Sequence, residues 1–114
     1  MKVYNLDILG SKWQLKVIPR ESDPMFESVD GYTDRSTKTM FVADGTFNDV
    51  DDLQNFEAYM KEVKRHEIVH SFLYESGLAQ NMYHAPYGHD EMCIDWFAIQ
   101  IPKMLKAFEK AEAL

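Results

Sequence analysis

The sequence predicts an α+β domain in which an N-terminal antiparallel β-sheet, built from hairpins, is followed by a long helix and a second helix. Short runs rich in β-branched and aromatic residues, separated by turn residues, occupy residues 2–43. From residue 51 onward, apolar residues recur instead at helical spacing. Because the strands come first and the helices follow, the class is α+β.

The composition is that of one folded domain spanning residues 1–114. Of its 114 residues, 46% are hydrophobic and 13% aromatic, which is enough for a real core. The formal net charge is −7. This charge argues against nucleic-acid or anionic-membrane partners, which require basic patches, and it favours basic or neutral substrates.

The sequence also favours a cytoplasmic location. Cys93 is the single cysteine, so no intramolecular disulfide is possible and a reducing compartment is the simpler interpretation. Residues 1–10 lack the apolar run of a signal peptide, and no stretch approaches the ~20 apolar residues of a membrane span. Nothing in the sequence indicates an oligomeric state.

The N-terminal part predicts two strand pairs. Residues 2–9 and 12–18 flank a turn at residues 9–12 and form the first hairpin. Residues 19–24 form a polar connector, and residues 27–43 supply a second pair of strands around a polar turn. The second pair leads directly toward the first helix.

The first helix is predicted over residues 51–76, with Asp49 or Asp51 as its N-cap and Gly77 as its C-terminal signal. A second helix is expected to begin near Asp90. Pro102 interrupts its apolar pattern and is expected to kink the helix or to begin a new segment, since proline removes a helical hydrogen bond.

The first helix carries His66-Glu67-Ile68-Val69-His70, an H-E-x-x-H motif. Residues four apart share a helix face, so His66 and His70 can direct two imidazole nitrogens at one point, as zinc requires. Glu67 is placed to act as the base toward a metal-activated water. The alternative is an exposed face with two hydrated histidines. Neighbouring apolar residues favour a buried helix instead, in which these polar groups need partners.

A catalytic zinc typically takes three protein ligands, so residues after His70 must supply the third. The candidates are Glu75, His84, His89, Asp90, Glu91 and Asp95. Glu75 is five residues past His70 and has a poor angle. Glu91 and Asp95 share a face of the second helix, so Glu91 can bind the metal while Asp95 accepts a hydrogen bond from a zinc histidine. Interaction of these acidic residues with the helix dipole is the alternative.

These two segments resemble the gluzincin branch of the zincin metallopeptidases, which pairs H-E-x-x-H with E-x-x-x-D on a following helix. The second element here is Glu91-Met92-Cys93-Ile94-Asp95. Residues 91–98 also resemble the E-x-x-A-[DN]-x-F-A signature of the cytoplasmic ImmA/IrrE-type peptidases, often associated with phage or mobile elements, with Ile94 as a departure. Over residues 60–102 the chain is similar to a minimal phage- or prophage-type peptidase.

The resemblance implies Zn²⁺ bound by His66, His70 and Glu91, with Glu67 as general base and Asp95 supporting a zinc histidine. It also implies that the strand before the active-site helix lies at the cleft edge and pairs with an extended peptide. In this chain that strand comprises Thr39, Met40, Phe41, Val42 and Ala43. An ordinary sheet edge is the alternative.

Peptide hydrolysis also needs a group that stabilises the oxyanion. Candidates in the loop between the ligand segments are Tyr83, His84, Tyr87 and His89. We favour His89 or Tyr83 as a catalytic residue, although residues of these types are more often packing or surface residues.

The predicted function is zinc-dependent hydrolysis of peptide bonds, with a protein or peptide as substrate. The alternative is a non-catalytic module in which zinc joins the two helices and a cleft binds a partner peptide. Glu67 argues against that alternative, because a structural site needs no base. A DNA-binding regulator is disfavoured by the net charge of −7. Mn²⁺ or Fe²⁺ remain open as metals, because availability also decides occupancy.

Overall fold

The computed structural model describes residues 1–44, 55–79 and 90–114. Its elements, in chain order, are β1 (Lys2–Ile8), β2 (Ser11–Pro19), β3 (Gly31–Asp34), β4 (Thr39–Asp44), α1 (Phe56–Glu75) and α2 (Glu91–Lys110). Two short 3-10 turns, Arg20–Ser22 and Pro24–Glu27, lie between β2 and β3. The predicted α+β class and the order of strands before helices are confirmed.

The four strands form one sheet in the order β1-β2-β4-β3. β1 and β2 form the predicted antiparallel hairpin, whose turn places Leu9 at φ 52° and Gly10 at φ 89°. β3 and β4 are also antiparallel, but β2 and β4 run parallel, with Leu15 opposite Met40. The sheet is therefore mixed rather than wholly antiparallel, because the 3-10 turns and β3 carry the chain back before β4 begins.

β4 lies inside the sheet, which contradicts the prediction that Thr39 to Ala43 form the cleft edge. Its backbone pairs with β2 on one side and β3 on the other. Met40, Val42 and Ala43 are at most 1% exposed. A strand with apolar residues on both faces is buried most completely in the middle of a sheet. Among the described strands, the outer one on this side is β3.

The core lies between the sheet and α1. Trp13, Leu15 and Val42 pack in one cluster with Met60 and Val63 of the helix. Burial of such side chains supplies most of the favourable free energy of folding.

The ends of both helices have capping contacts. The Asn55 side chain caps α1, and the predicted caps Asp49 and Asp51 lie outside the described residues. Gly77, with φ 84°, follows the end of α1 as predicted. Asp90 caps α2 by accepting a hydrogen bond from the Met92 amide. α2 continues through Pro102 as one helix, so no new segment begins there. Within the described residues, no helix is long and apolar enough to cross a membrane.

Candidate metal centre

α1 presents its two histidines on one face. The Nε2 atoms of His66 and His70 lie 3.1 Å apart, and the two rings meet edge to face. His70 is buried, with 7% of its surface exposed. The i, i+4 spacing brings the two nitrogens together without any contribution from distant segments.

α2 brings the Glu91 carboxylate to the two histidines. Its Oε2 lies 3.1 Å from His66 Nε2, and its Oε1 lies 3.2 Å from His70 Nε2. The ligand atoms of a tetrahedral zinc site, at bond lengths of about 2.0–2.2 Å, stand about 3.3–3.5 Å apart. The observed separations are close to those values, so His66, His70 and Glu91 could together hold one metal ion.

Asp95 orients one of the histidines. Its Oδ1 lies 2.6 Å from Nδ1 of His66. A carboxylate only accepts hydrogen bonds, so Nδ1 of His66 donates and the Nε2 lone pair is left facing Glu91 and His70. This is the contact that the sequence predicted for Asp95 with a histidine of the motif.

Glu67 is buried beside the cluster, with 4% of its surface exposed. The Thr33 hydroxyl donates a hydrogen bond to its Oε1 at 2.8 Å, and its Oε2 lies 4.0 Å from His66 Nε2. Burial raises the pKa of Glu67 from 4.5 to about 7, against the opposing effects of Thr33 and His66. A carboxyl group with a pKa near 7 can both accept and release a proton at neutral pH.

Thr33 was not identified from the sequence as a site residue. Threonine is common in β-strands, so its presence in a short strand does not by itself indicate a functional site. Only the packing of β3 against α1 brings Thr33 to Glu67, which is 34 residues further along the chain.

β3 approaches α1 most closely at Gly31. A Cβ atom at this position would lie 3.0 Å from Val63 Cγ1 and 3.1 Å from Glu67 Oε2. Both distances are shorter than ordinary van der Waals contacts, so a larger side chain would press directly on the candidate base. The glycine therefore allows β3 to lie against the helix at this point.

A cleft of about 620 Å³ lies between β3, α1 and α2, with the histidines and Glu67 in its wall. The carboxylates that line it are Asp30, Glu62, Glu67, Glu91 and Asp95. Among the described residues that line the cleft, none is a lysine or arginine. These lining residues make the cleft acidic, and β3 beside it is the outer strand of the sheet that the described residues form.

Two other predicted candidates, Glu75 and Asp90, have other partners and do not join the cluster. Glu75 accepts a hydrogen bond from Trp13 and pairs with Lys38 at 2.7 Å, so it fastens α1 to the sheet. Asp90 caps α2. The favoured oxyanion residues, His89 and Tyr83, lie outside the described residues. The other two loop candidates, His84 and Tyr87, also lie outside them.

Comparison of the chain with protein-family models, with curated proteins and with solved structures gives no significant match. The function is therefore argued from the geometry and chemistry of the site.

Proposed function

We propose that the protein is a zinc-dependent endopeptidase of the gluzincin type, acting on a protein or peptide substrate. The observation that carries the proposal is the convergence of His66, His70 and Glu91 beside a buried, hydrogen-bonded Glu67. Three ligands with a separate base are typical of hydrolytic zinc sites, whereas structural zinc sites have four ligands and no base.

The metal ligands, Glu67 and Thr33 would each have a separate role in hydrolysis. Zinc held by His66, His70 and Glu91 would polarise the scissile carbonyl and lower the pKa of water to about 7. Glu67 would accept a proton from the attacking water and deliver it to the leaving amine. The Thr33 hydroxyl holds Oε1 of Glu67, so that Oε2 faces the cluster.

β3, rather than β4, is proposed to align the substrate. It is the outer strand of the sheet formed by the described residues, and Gly31 and Thr33 line the cleft beside Glu67. An extended peptide paired with the outer edge of β3 would be held by backbone hydrogen bonds. This pairing would bring one peptide carbonyl near the candidate base.

The charge of the cleft favours substrates with basic side chains. Asp30 is already paired with Arg20 at 2.8 Å. Glu62, one turn before His66, lies partly buried in the cleft wall and could meet a lysine or arginine of the substrate. We further propose a cytoplasmic site of action, because Cys93 is a free thiol and the ImmA/IrrE-type peptidases, whose signature residues 91–98 resemble, are cytoplasmic.

The first experiment measures the metal content of the purified protein by plasma mass spectrometry, with His70→Ala and Glu91→Ala beside it. We expect about one zinc per wild-type chain and loss of zinc in both variants. Glu57→Ala, at an exposed position on the same helix, is the matched control and should keep its zinc. Wild-type protein that takes up no zinc, even when zinc is added, would overturn the proposal.

The second experiment tests hydrolysis with a peptide library in which lysine and arginine are varied by position. Wild-type protein should cut the library, and Glu67→Gln should retain zinc but lose activity. If Glu67→Gln cuts as fast as wild type, Glu67 is not the base. If wild-type protein binds zinc and peptides but cuts none of them, the protein is a zinc-stabilised binding module.

A further inference from the structure

Pro102 leaves a backbone acceptor of α2 without its usual donor. The helix continues from Glu91 to Lys110 with this proline inside it. Proline has no amide hydrogen, so the carbonyl of Ala98, four residues earlier, loses its helical hydrogen bond. Ala98 has no exposed surface, so solvent does not replace that donor. A buried carbonyl in this position needs a partner from elsewhere in the fold.

Arg65 of α1 supplies that partner. Its Nε donates a hydrogen bond to the Ala98 carbonyl oxygen at 2.5 Å. The donor belongs to a charged group, and hydrogen bonds from charged donors are stronger than neutral ones. The contact therefore joins the middle of α1 to the middle of α2.

This contact lies next to the metal cluster. Arg65 directly precedes His66, and Ala98 lies about one helical turn beyond Asp95, which bonds the same histidine. Within α2 only Ile94 and Ala98 are fully buried, and both lie close to this contact, while Ile101, Pro102 and Met104 are half-buried. The Glu91 side chain itself is 64% exposed. Its place beside the histidines therefore depends on how α2 docks on α1.

We propose that Arg65 is a positioning residue of the metal centre. Its hydrogen bond to Ala98, made possible by Pro102, docks α2 in the register that places Glu91 beside His66 and His70. The inference rests on the proposed metal site but does not require that the protein cut peptides. Arg65 does not contact the metal ligands' coordinating atoms; it acts through the helix that carries Glu91.

The test measures the zinc affinity of the full chain by competition with a chromogenic chelator. Arg65→Met keeps the apolar part of the side chain and removes the donor. If α2 is docked in a smaller fraction of the molecules, the apparent dissociation constant for zinc rises by the factor by which that fraction falls. We expect a rise of about tenfold to a hundredfold, the range for loss of a hydrogen bond to a charged group. Arg65→Lys keeps a charged donor and should restore part of the affinity.

A second pair of variants shows whether the effect acts through Glu91. In a Glu91→Ala background the two histidines remain of the three proposed ligands, and adding Arg65→Met should leave the residual affinity unchanged. An equal loss in both backgrounds would overturn the proposal, because Arg65 would then support the fold in general. Wild-type affinity in Arg65→Met would also overturn it while leaving the proposed function intact. Absence of zinc binding by the wild type would instead overturn the metal site, and this inference with it.

Pro102→Ala tests the assignment of the acceptor. Alanine returns an amide donor to the Ala98 carbonyl from within α2. Thermal unfolding should therefore show a smaller destabilisation by Arg65→Met in the Pro102→Ala background than in the wild type. Equal destabilisation in the two backgrounds would show that the Ala98 carbonyl does not depend on Arg65, and would overturn the proposal.

Discussion

The two oxygens of Glu67 have different surroundings, and this difference defines the candidate site at the scale of single residues. Oε1 accepts the Thr33 hydrogen bond, whereas Oε2 faces His66 from 4.0 Å. Burial of the carboxyl group disfavours its charged form and raises its pKa to about 7. Because burial disfavours its charge, an ionised Glu67 destabilises the metal-free fold, as functional groups often do.

Glu67→Gln is therefore expected to stabilise the metal-free protein, in a pH-dependent way. The pKa of Glu67 rises from 4.5 to about 7 on folding, so between these values the folded state binds more protons there than the unfolded state. The free energy of unfolding of wild type then falls as the pH rises. Relative to wild type, Glu67→Gln should gain up to about 3 kcal/mol near pH 8 and little below about pH 4.5.

The measurement is chemical denaturation in the presence of a chelator across that pH range. Glu57→Gln removes the same charge from an exposed position of α1, where the side chain is 83% exposed, and is the matched control. A stability difference between Glu67→Gln and wild type that stays constant with pH would contradict the assigned effect of burial.

Thr33→Val should lower kcat about tenfold while the zinc content and KM stay near the wild-type values. Valine has the shape of threonine but cannot donate to Oε1 of Glu67, so the base loses its orientation. Thr33→Ser keeps the hydroxyl and should recover most of the activity. Steady-state kinetics on a peptide identified from the library measures all three proteins, and a wild-type kcat in Thr33→Val would remove Thr33 from the mechanism.

At the scale of secondary-structure elements, β3 has two roles in four residues. One edge pairs with β4, and Thr33 on the same strand bonds Glu67 of α1. Asp30, just before the strand, accepts a hydrogen bond from Tyr59 of α1 at 2.5 Å. These contacts set the distance between β3, which is proposed to pair with the substrate, and α1, which carries the candidate base Glu67.

Gly31→Ala should disturb the distance between β3 and α1. The added methyl group would press on Val63 and Glu67 at 3.0–3.1 Å, and we expect a destabilisation of about 1–3 kcal/mol together with loss of hydrolysis. Gly10→Ala is the control: its φ of 89° makes alanine strained by about 1 kcal/mol, but beyond the adjoining residues the added Cβ would meet no described atom within 4 Å, and Gly10 does not line the cleft. Denaturation and peptide assays should separate the two variants, and full activity in Gly31→Ala would contradict the close approach of β3.

At the scale of the whole molecule, the two helices are held by different means. α1 packs on the sheet core and is fastened at its C-terminal end by Glu75, through Trp13 and Lys38. α2 has few buried residues and meets α1 through Arg65 and the histidine cluster. A metal ion bound by ligands from both helices would therefore add directly to the stability of the fold.

Zinc should raise the melting temperature of the wild-type protein in a concentration-dependent way. At a free zinc concentration a hundredfold above the dissociation constant, binding adds about 2.7 kcal/mol, which corresponds to roughly 10 °C for a domain of this size. His70→Ala and Glu91→Ala should lose most of the shift, whereas Glu57→Ala should keep it. Differential scanning calorimetry measures the shift, and equal shifts in all four proteins would place the zinc elsewhere.

Features that depend on neighbouring residues were determined by the sequence itself. The i, i+4 spacing of His66 and His70, the Asp90 cap and the hairpin turn at Gly10 follow from local geometry, and so does the order of strands before helices. The same spacing argument placed Glu91 and Asp95 on one face of the second helix.

Features that join distant segments were decided only by the tertiary structure. The central place of β4 depends on pairing with two other strands, and the Thr33–Glu67 and Arg65–Ala98 contacts join residues about 33 positions apart. The physical reason is that helical periodicity and capping are set by nearby residues, whereas strand order and helix docking depend on which distant surfaces bury one another best.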